Sequence, residues 1–280
     1  MRVQIIKDSI SPEGIRLTTL HARYWRPIHA ELMTHRVFGR NARSSRAVPS
    51  VTLLSEEIFV PQFGMNQPGM QSDIKAPREL QEKWAREWTK LASITRDQVR
   101  RWSEEKMHKQ HANRPLEWFG WIDVLITSTQ WKNFFALRIS EYAQPEFDEL
   151  AREIQLRMSK SKPQILMSGT WHLPYINEDE YSTCDLEDLK KLSVARCARL
   201  SYRPFDGNAD HKAEFERYDR LMVSQPVHAS PAEHQATPDR LFTGYTDDSK
   251  WSGWLSPELH GNLQGWVQLR KTISNEAVHG

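Results

Sequence analysis

Four arginines, one histidine and two serines fall within the thirteen residues from Thr34 to Arg46. Guanidinium groups, hydroxyls and free backbone N–H groups gathered at a helix end suit a phosphate or another planar anion. The alternative for so basic a stretch is a solvated turn with no ligand. Farther on, Arg138 stands at the edge of an apolar face, where an arginine snorkels or pairs with a carboxylate such as Glu141. His108 and His111 could face one metal, although no further ligand lies at a suggestive spacing. In Val227-His228-Ala229-Ser230-Pro231-Ala232-Glu233-His234, Ser230 reads as a helix N-cap and Glu233 completes a capping box, which alone would explain the motif. Cys184 and Cys197 form no CxxC pattern, fit a reducing compartment, and have no evident neighbours that would activate a thiolate.

The elements that must position these groups follow from periodicity. Residues 3–9 and 15–22 read as short strands split by the turn Ser11-Pro12-Glu13-Gly14. Pro27 suits the first turn of a helix running to about Arg36, with the basic loop after it. Residues 50–74 are loop-rich, and Pro77 to about Lys109 is helical, with a break expected near Ser93 to Asp97. Trp118 to Ile126 leans toward strand, with Asp123 a conspicuous exception. Helices follow through Trp131 to Arg138, Gln144 to Met158, Leu189 to Arg199 and Glu214 to Met222. Residues 160–182 read as a polar connector, and the tail as loop followed by a short helix.

A chain of 280 residues buries a sizeable core in one large domain or two small ones. Its net charge of +2 argues against a general electrostatic grip on nucleic acid polymers while allowing a local basic pocket. No apolar run approaches the ~20 residues of a membrane span, and the N-terminus lacks a signal-peptide core, so the expected setting is the cytoplasm. Eleven tryptophans imply large amphipathic rings at interfaces or around a ligand.

Three separated segments resemble the flavin-dependent thymidylate synthase family. In the first, His35 and Arg36 are followed after seven residues by Ser44 and then Arg46, with Asn41 fitting the longer pattern. The second is Asn133-Phe134-Phe135-Ala136-Leu137-Arg138, with Gln144 downstream. The third joins Ala198-Arg199-Leu200-Ser201 to His228-x-Ser230-Pro231-x-Glu233-His234. In the family the His-x-Ser/Thr-Pro element comes first; here it comes last, so the chain resembles a circularly permuted relative of the kind found in phage genomes. Permutation is tolerated when native termini lie close together on the surface.

The resemblance implies an α+β fold, with an antiparallel sheet flanked by helices, in a single permuted domain over residues 1–280. Residues 1–170 would carry the first two segments and 171–280 the third. It implies methylation of dUMP at C5 to dTMP, using methylenetetrahydrofolate and NADPH through FAD, in a homotetramer whose flavin sites are shared between subunits. Ser44, Ser45 and Arg46 would hold the nucleotide phosphate, and Arg138 the pyrimidine O2/N3 edge. His35, Arg36, Asn133, Ser201, His228, Ser230 and Glu233 would line the flavin. Thr34 and Ala42 stand where the family has Arg and Glu, Gly39 replaces a Ser, and Glu31 stands in place of Gln. These departures bear on the nucleotide and the reaction more than on the fold. They leave open 5-hydroxymethylation or another C5 modification, or a non-catalytic nucleotide- or flavin-binding homologue.

Overall fold

The computed structural model describes residues 1–203, 205–207, 210–224, 226–245 and 250–277. Strands β1 (Arg2–Ile10) and β2 (Arg16–Trp25) form a hairpin, and a short helix, α1 (His29–Leu32), follows. The basic stretch is not wholly loop, because Gly39–Ala42 forms strand β3. Helices α2 (Ser50–Ser55), α3 (Arg78–Glu104) and α4 (Lys109–Ala112) lead to β4 (Trp121–Ser128), α5 (Lys132–Arg138) and α6 (Pro145–Lys160). Next come β5 (Gln164–Ile165), α7 (Glu180–Thr183), α8 (Leu186–Arg199) and α9 (His211–Val223). Strands β6 (Ala236–Pro238), β7 (Leu241–Tyr245), β8 (Lys250–Trp254) and β9 (Trp266–Gln268) complete the series. The tail expected as loop and helix therefore contains a β7–β8 hairpin and a β6–β9 ribbon.

The main sheet has the order β3-β4-β2-β1-β5. Its pairings are antiparallel except for the two-residue parallel contact of β1 with β5, inside the stretch expected as a polar connector. Alternation sorts the two faces, since successive side chains of a strand point to opposite sides. Leu20, Ala22 and Tyr24 of β2 and Ile122, Val124 and Ile126 of β4 pack with Phe147, Leu150 and Ile154 of α6 and Phe134 of α5. All are buried, and truncating one of the large members, such as Phe147→Ala, costs about 3–5 kcal/mol. The opposite face carries Thr19, His21 and Arg23 on β2 against Thr127, Leu125 and Asp123 on β4.

Three helix expectations are corrected. The helix from Pro27 ends at Leu32 rather than Arg36. There Thr34 Oγ1 donates to the Glu31 carbonyl at 2.7 Å, and Arg40 Nη1 donates to the carbonyls of Leu32, Met33 and His35. These side chains satisfy the last carbonyls and let the backbone leave the helix. Helix α3 runs unbroken through Ser93, which is exposed and costs a helix only a few tenths of a kcal/mol. Ser230–Glu233 is a single 3-10 turn with no side-chain cap, and Glu233 pairs instead with Arg270.

Candidate functional site

Arg138 ends α5, directly after β4, and reaches the chain that leaves α1. Its Nε donates to His35 Nε2 at 3.0 Å, its Nη1 to Glu31 Oε2 at 2.8 Å, and its Nη2 to Thr34 Oγ1 at 3.3 Å. The guanidinium lies 4.5 Å from the centre of the buried Phe147 ring, a cation–π arrangement that fixes its plane. The partner of Arg138 is therefore Glu31, 107 residues away, rather than the nearby Glu141. Burial, together with the charges of Arg138 and Arg40, lowers the His35 pKa to about 4. The ring is neutral at pH 7 and accepts at Nε2, which places its proton on Nδ1.

Strand β3 ties the other segments to this cluster. Near its start Gly39 packs against Glu233, where a β-carbon would make ordinary van der Waals contact with the Glu233 side chain at 3.5 Å. Arg270 holds the Glu233 carboxylate. Past its end, the Ser44 N–H donates to the Ser201 carbonyl at 2.9 Å. The segments carrying Arg138, Glu233 and Ser201 thus all meet the stretch 34–46. Strand β3, whose four residues span about 13 Å, lies in the chain between His35 of the Arg138 cluster and Ser44.

The far end is a charged cleft of about 710 Å3, lined by Arg2, Arg23, Arg43, Glu56, Asp123 and Tyr202 among others. Asp123 receives His21 Nε2 at 2.9 Å and Arg23 Nη1 at 2.6 Å, and Arg43 Nη1 lies between Asp123 and Glu56. Burial alone would raise the Asp123 carboxyl; the His21 hydrogen bond and the charges of Arg23, His21 and Arg43 hold it below its usual range. Arg43 is itself buried, and its Nε has no partner among the described residues. Ser45 is buried with its hydroxyl on Glu117, which also pairs with Arg26 and Arg114. Arg46 is exposed.

The remaining predicted residues are dispersed. Asn133 is exposed on α5, and five residues along a helix turn it about 140° from Arg138. Arg36, His228 and Ser230 are exposed as well. Each of these four carries a hydrogen-bond donor, the chemistry that a pyrophosphate-bearing cofactor needs. His35 and Glu233 are taken by arginines and could act on such a group only through them. His108 caps α4 by accepting the Gln110 N–H, and among the described residues no three His, Cys, Asp or Glu side chains are placed to hold a metal. Cys197 is fully buried, and burial pushes its thiol pKa up, which leaves it a poor nucleophile.

The polar face of the sheet also carries a buried chain of hydrogen bonds. Ser9 Oγ meets His172 Nδ1 at 2.9 Å, and His172 Nε2 meets Thr19 Oγ1 at 2.8 Å. Thr19 Oγ1 meets Thr127 Oγ1 at 2.6 Å, and Thr127 Oγ1 meets His234 Nδ1 at 2.8 Å. His234, next to Glu233, thereby ties the 3-10 turn to the sheet. Burial drives its pKa down to about 3.

Sequence reasoning missed Arg43, Arg270, Phe147 and the buried histidine chain as parts of one assembly. A signal existed for one of them, because an aspartate inside the apolar run of β4 requires buried cations. Among the described residues no helix is long and apolar enough to cross a membrane.

No protein-family profile matches the chain, and neither does any curated protein. Among solved structures, the chain is similar in backbone to a UMP/dUMP methylase, PolB from Streptomyces cacaoi, bound with 5-Br UMP. That match has a TM-score of 0.48 and 15% sequence identity, covering 57% of this chain and 88% of the other. The same enzyme bound with 5-Br dUMP matches with a TM-score of 0.48 and 15% identity, over 57% of this chain and 90% of that one. The likeness is one of backbone over little more than half of the chain.

Proposed function

We propose that the protein transfers a one-carbon unit to C5 of a pyrimidine nucleotide, in the manner of the flavin-dependent thymidylate synthases that its motifs resemble. The observation that supports this reading is the meeting of three distant segments along 34–46. Arg138 bonds His35, Glu233 lies on Gly39, and the Ser201 carbonyl takes the Ser44 N–H. The order of the segments then reflects circular permutation of one domain.

In this reading Arg138 holds the O2/N3 edge of the base and stabilises negative charge on the ring, which makes C5 nucleophilic. Ser44 and Arg46 bind the phosphate, and Ser45 anchors their loop through Glu117. Arg36, Asn133, Ser201, His228 and Ser230 hold FAD, while His35 and Glu233 orient Arg138 and Arg270. When bound, FAD supplies carriage of the methylene from methylenetetrahydrofolate and of reducing electrons drawn from NADPH. The resemblance makes dUMP the default substrate and dTMP the product. The resemblance also implies a homotetramer in which subunits share the site. Met33 and Leu137, exposed apolar residues in the segments that bear the Arg138 cluster, support such a contact.

The test is Arg138→Ala in purified protein supplied with FAD. Flavin absorbance should stay with the protein while formation of the C5-modified nucleotide is lost. Retained turnover would remove Arg138 from its assigned role.

A further inference from the structure

The pairing of Arg138 with Glu31 has a consequence for the base that is accepted, resting on the reading of Arg138 as the base-edge residue. A guanidinium carries five N–H groups. Three are committed, one each to His35, Glu31 and Thr34. One N–H on each Nη is left over, and Glu31 Oε1 takes no hydrogen bond among the described residues. Thr34 cannot supply another donor, because its hydroxyl hydrogen is given to the Glu31 carbonyl. The cluster therefore leaves one N–H on each Nη and one carboxylate oxygen uncommitted among the described residues, on a guanidinium stacked on Phe147.

Cytosine carries the complement of that pattern. Its edge runs O2 acceptor, N3 acceptor, N4–H2 donor, and a carboxylate is the side chain that accepts from cytosine N4. Uracil mismatches in either protonation state. Neutral uracil turns N3–H toward the guanidinium, donor against donor. Uracil ionised at N3 turns O4 toward the Glu31 carboxylate, acceptor against acceptor.

We infer that the Arg138–Glu31 pair selects a cytosine nucleotide over a uracil nucleotide, with Glu31 as the specificity-determining residue. A carboxylate accepting from the amino group also pushes electron density through N4 toward C5, so the same contact favours reaction at that carbon. Glu31 is partly exposed and lies outside the main core, so Glu31→Gln leaves the fold intact.

Calorimetric titration of the purified full-length protein, supplied with FAD, with dCMP and with dUMP decides the matter without turnover. Wild type should bind dCMP about tenfold or more tighter than dUMP, and Glu31→Gln should move that ratio toward dUMP by about tenfold. Tighter binding of dUMP by wild type, or a ratio unmoved by Glu31→Gln, overturns the inference and leaves the proposed function standing. If neither nucleotide binds, the proposed function falls and the inference falls with it. A thermal melt of Glu31→Gln within a few degrees of wild type confirms that the comparison is between folded proteins.

Discussion

The Nε–H of Arg138 donates to His35 Nε2 at 3.0 Å, joining two segments 103 residues apart in the chain. The bond needs an unprotonated nitrogen at His35, and burial with two neighbouring arginines provides one by lowering the ring's pKa to about 4. His35 thereby aims Arg138 rather than contacting the base. His35→Ala should reduce turnover about tenfold or more through a looser Arg138. His35→Gln, whose side-chain carbonyl can also accept from Nε–H, should recover much of that loss. Equal rates for the two variants would show that the ring's shape matters and its acceptor does not.

Stability should depend on pH in a defined window. The pKa values of His29 and His35 are lowered from 6.5 to about 4, and that of His234 to about 3, in each case chiefly by burial. As pH falls through about 6.5 the unfolded chain takes up protons on these rings, and the folded protein does not until about pH 4. Stability is therefore full above about pH 6.5 and declines on acidification below it. The melting temperature should be lower at pH 5 than at pH 7.5, and His35→Gln should shrink that difference. A melting temperature flat between those pH values would contradict the assigned burial.

The hydrogen-bonded chain across the polar sheet face is open to a nearly isosteric probe. Thr127→Val keeps the volume but leaves Thr19 and His234 each short of a buried partner, at about 1–3 kcal/mol apiece. Thr127→Ser retains the hydroxyl and should cost less. Urea unfolding of both variants separates the outcomes, and equal loss would assign the effect to the missing methyl group.

Arg196 is fully buried and bonds Glu180 through both Nη atoms, at 2.7 and 2.6 Å. Burial alone would raise the Glu180 carboxyl, yet bonds from Arg196, the Asn177 N–H and His211 hold its pKa at about 2. Arg196→Ala leaves the buried Glu180 carboxylate without its arginine, held only by the Asn177 N–H and His211, and should destabilise the fold by about 3–5 kcal/mol. Replacing both residues with apolar ones of similar volume should cost much less. If the single variant melts like wild type, the pair is not structural.

The parts of this molecule legible in its sequence are those written in periodicity. β1, β2, α5, α6 and α8 stand close to where alternation or three-to-four spacing puts them. β3 is not legible, because Gly-Arg-Asn-Ala has little strand preference and exists as a strand only through its pairing with β4. The β7–β8 hairpin is hidden by its glycines and serines. At the candidate site, the sequence names Arg138 and His35 separately. It cannot reveal that they touch, or that Glu31 rather than Glu141 is the carboxylate, because both facts are tertiary. The isolated aspartate in β4 is the instructive exception. A charge in an apolar run demands partners, and Arg23, Arg43 and His21 supply them.

The central claim is one-carbon transfer to C5 of a pyrimidine nucleotide. The most direct measurement incubates the purified protein with FAD, NADPH, isotope-labelled methylenetetrahydrofolate and either dUMP or dCMP, and reads the nucleotide by mass spectrometry. A nucleotide that has gained the labelled carbon at C5, with Arg138→Ala giving none, is the predicted result. Unchanged nucleotide from both substrates, with protein that takes up no flavin, would contradict the account.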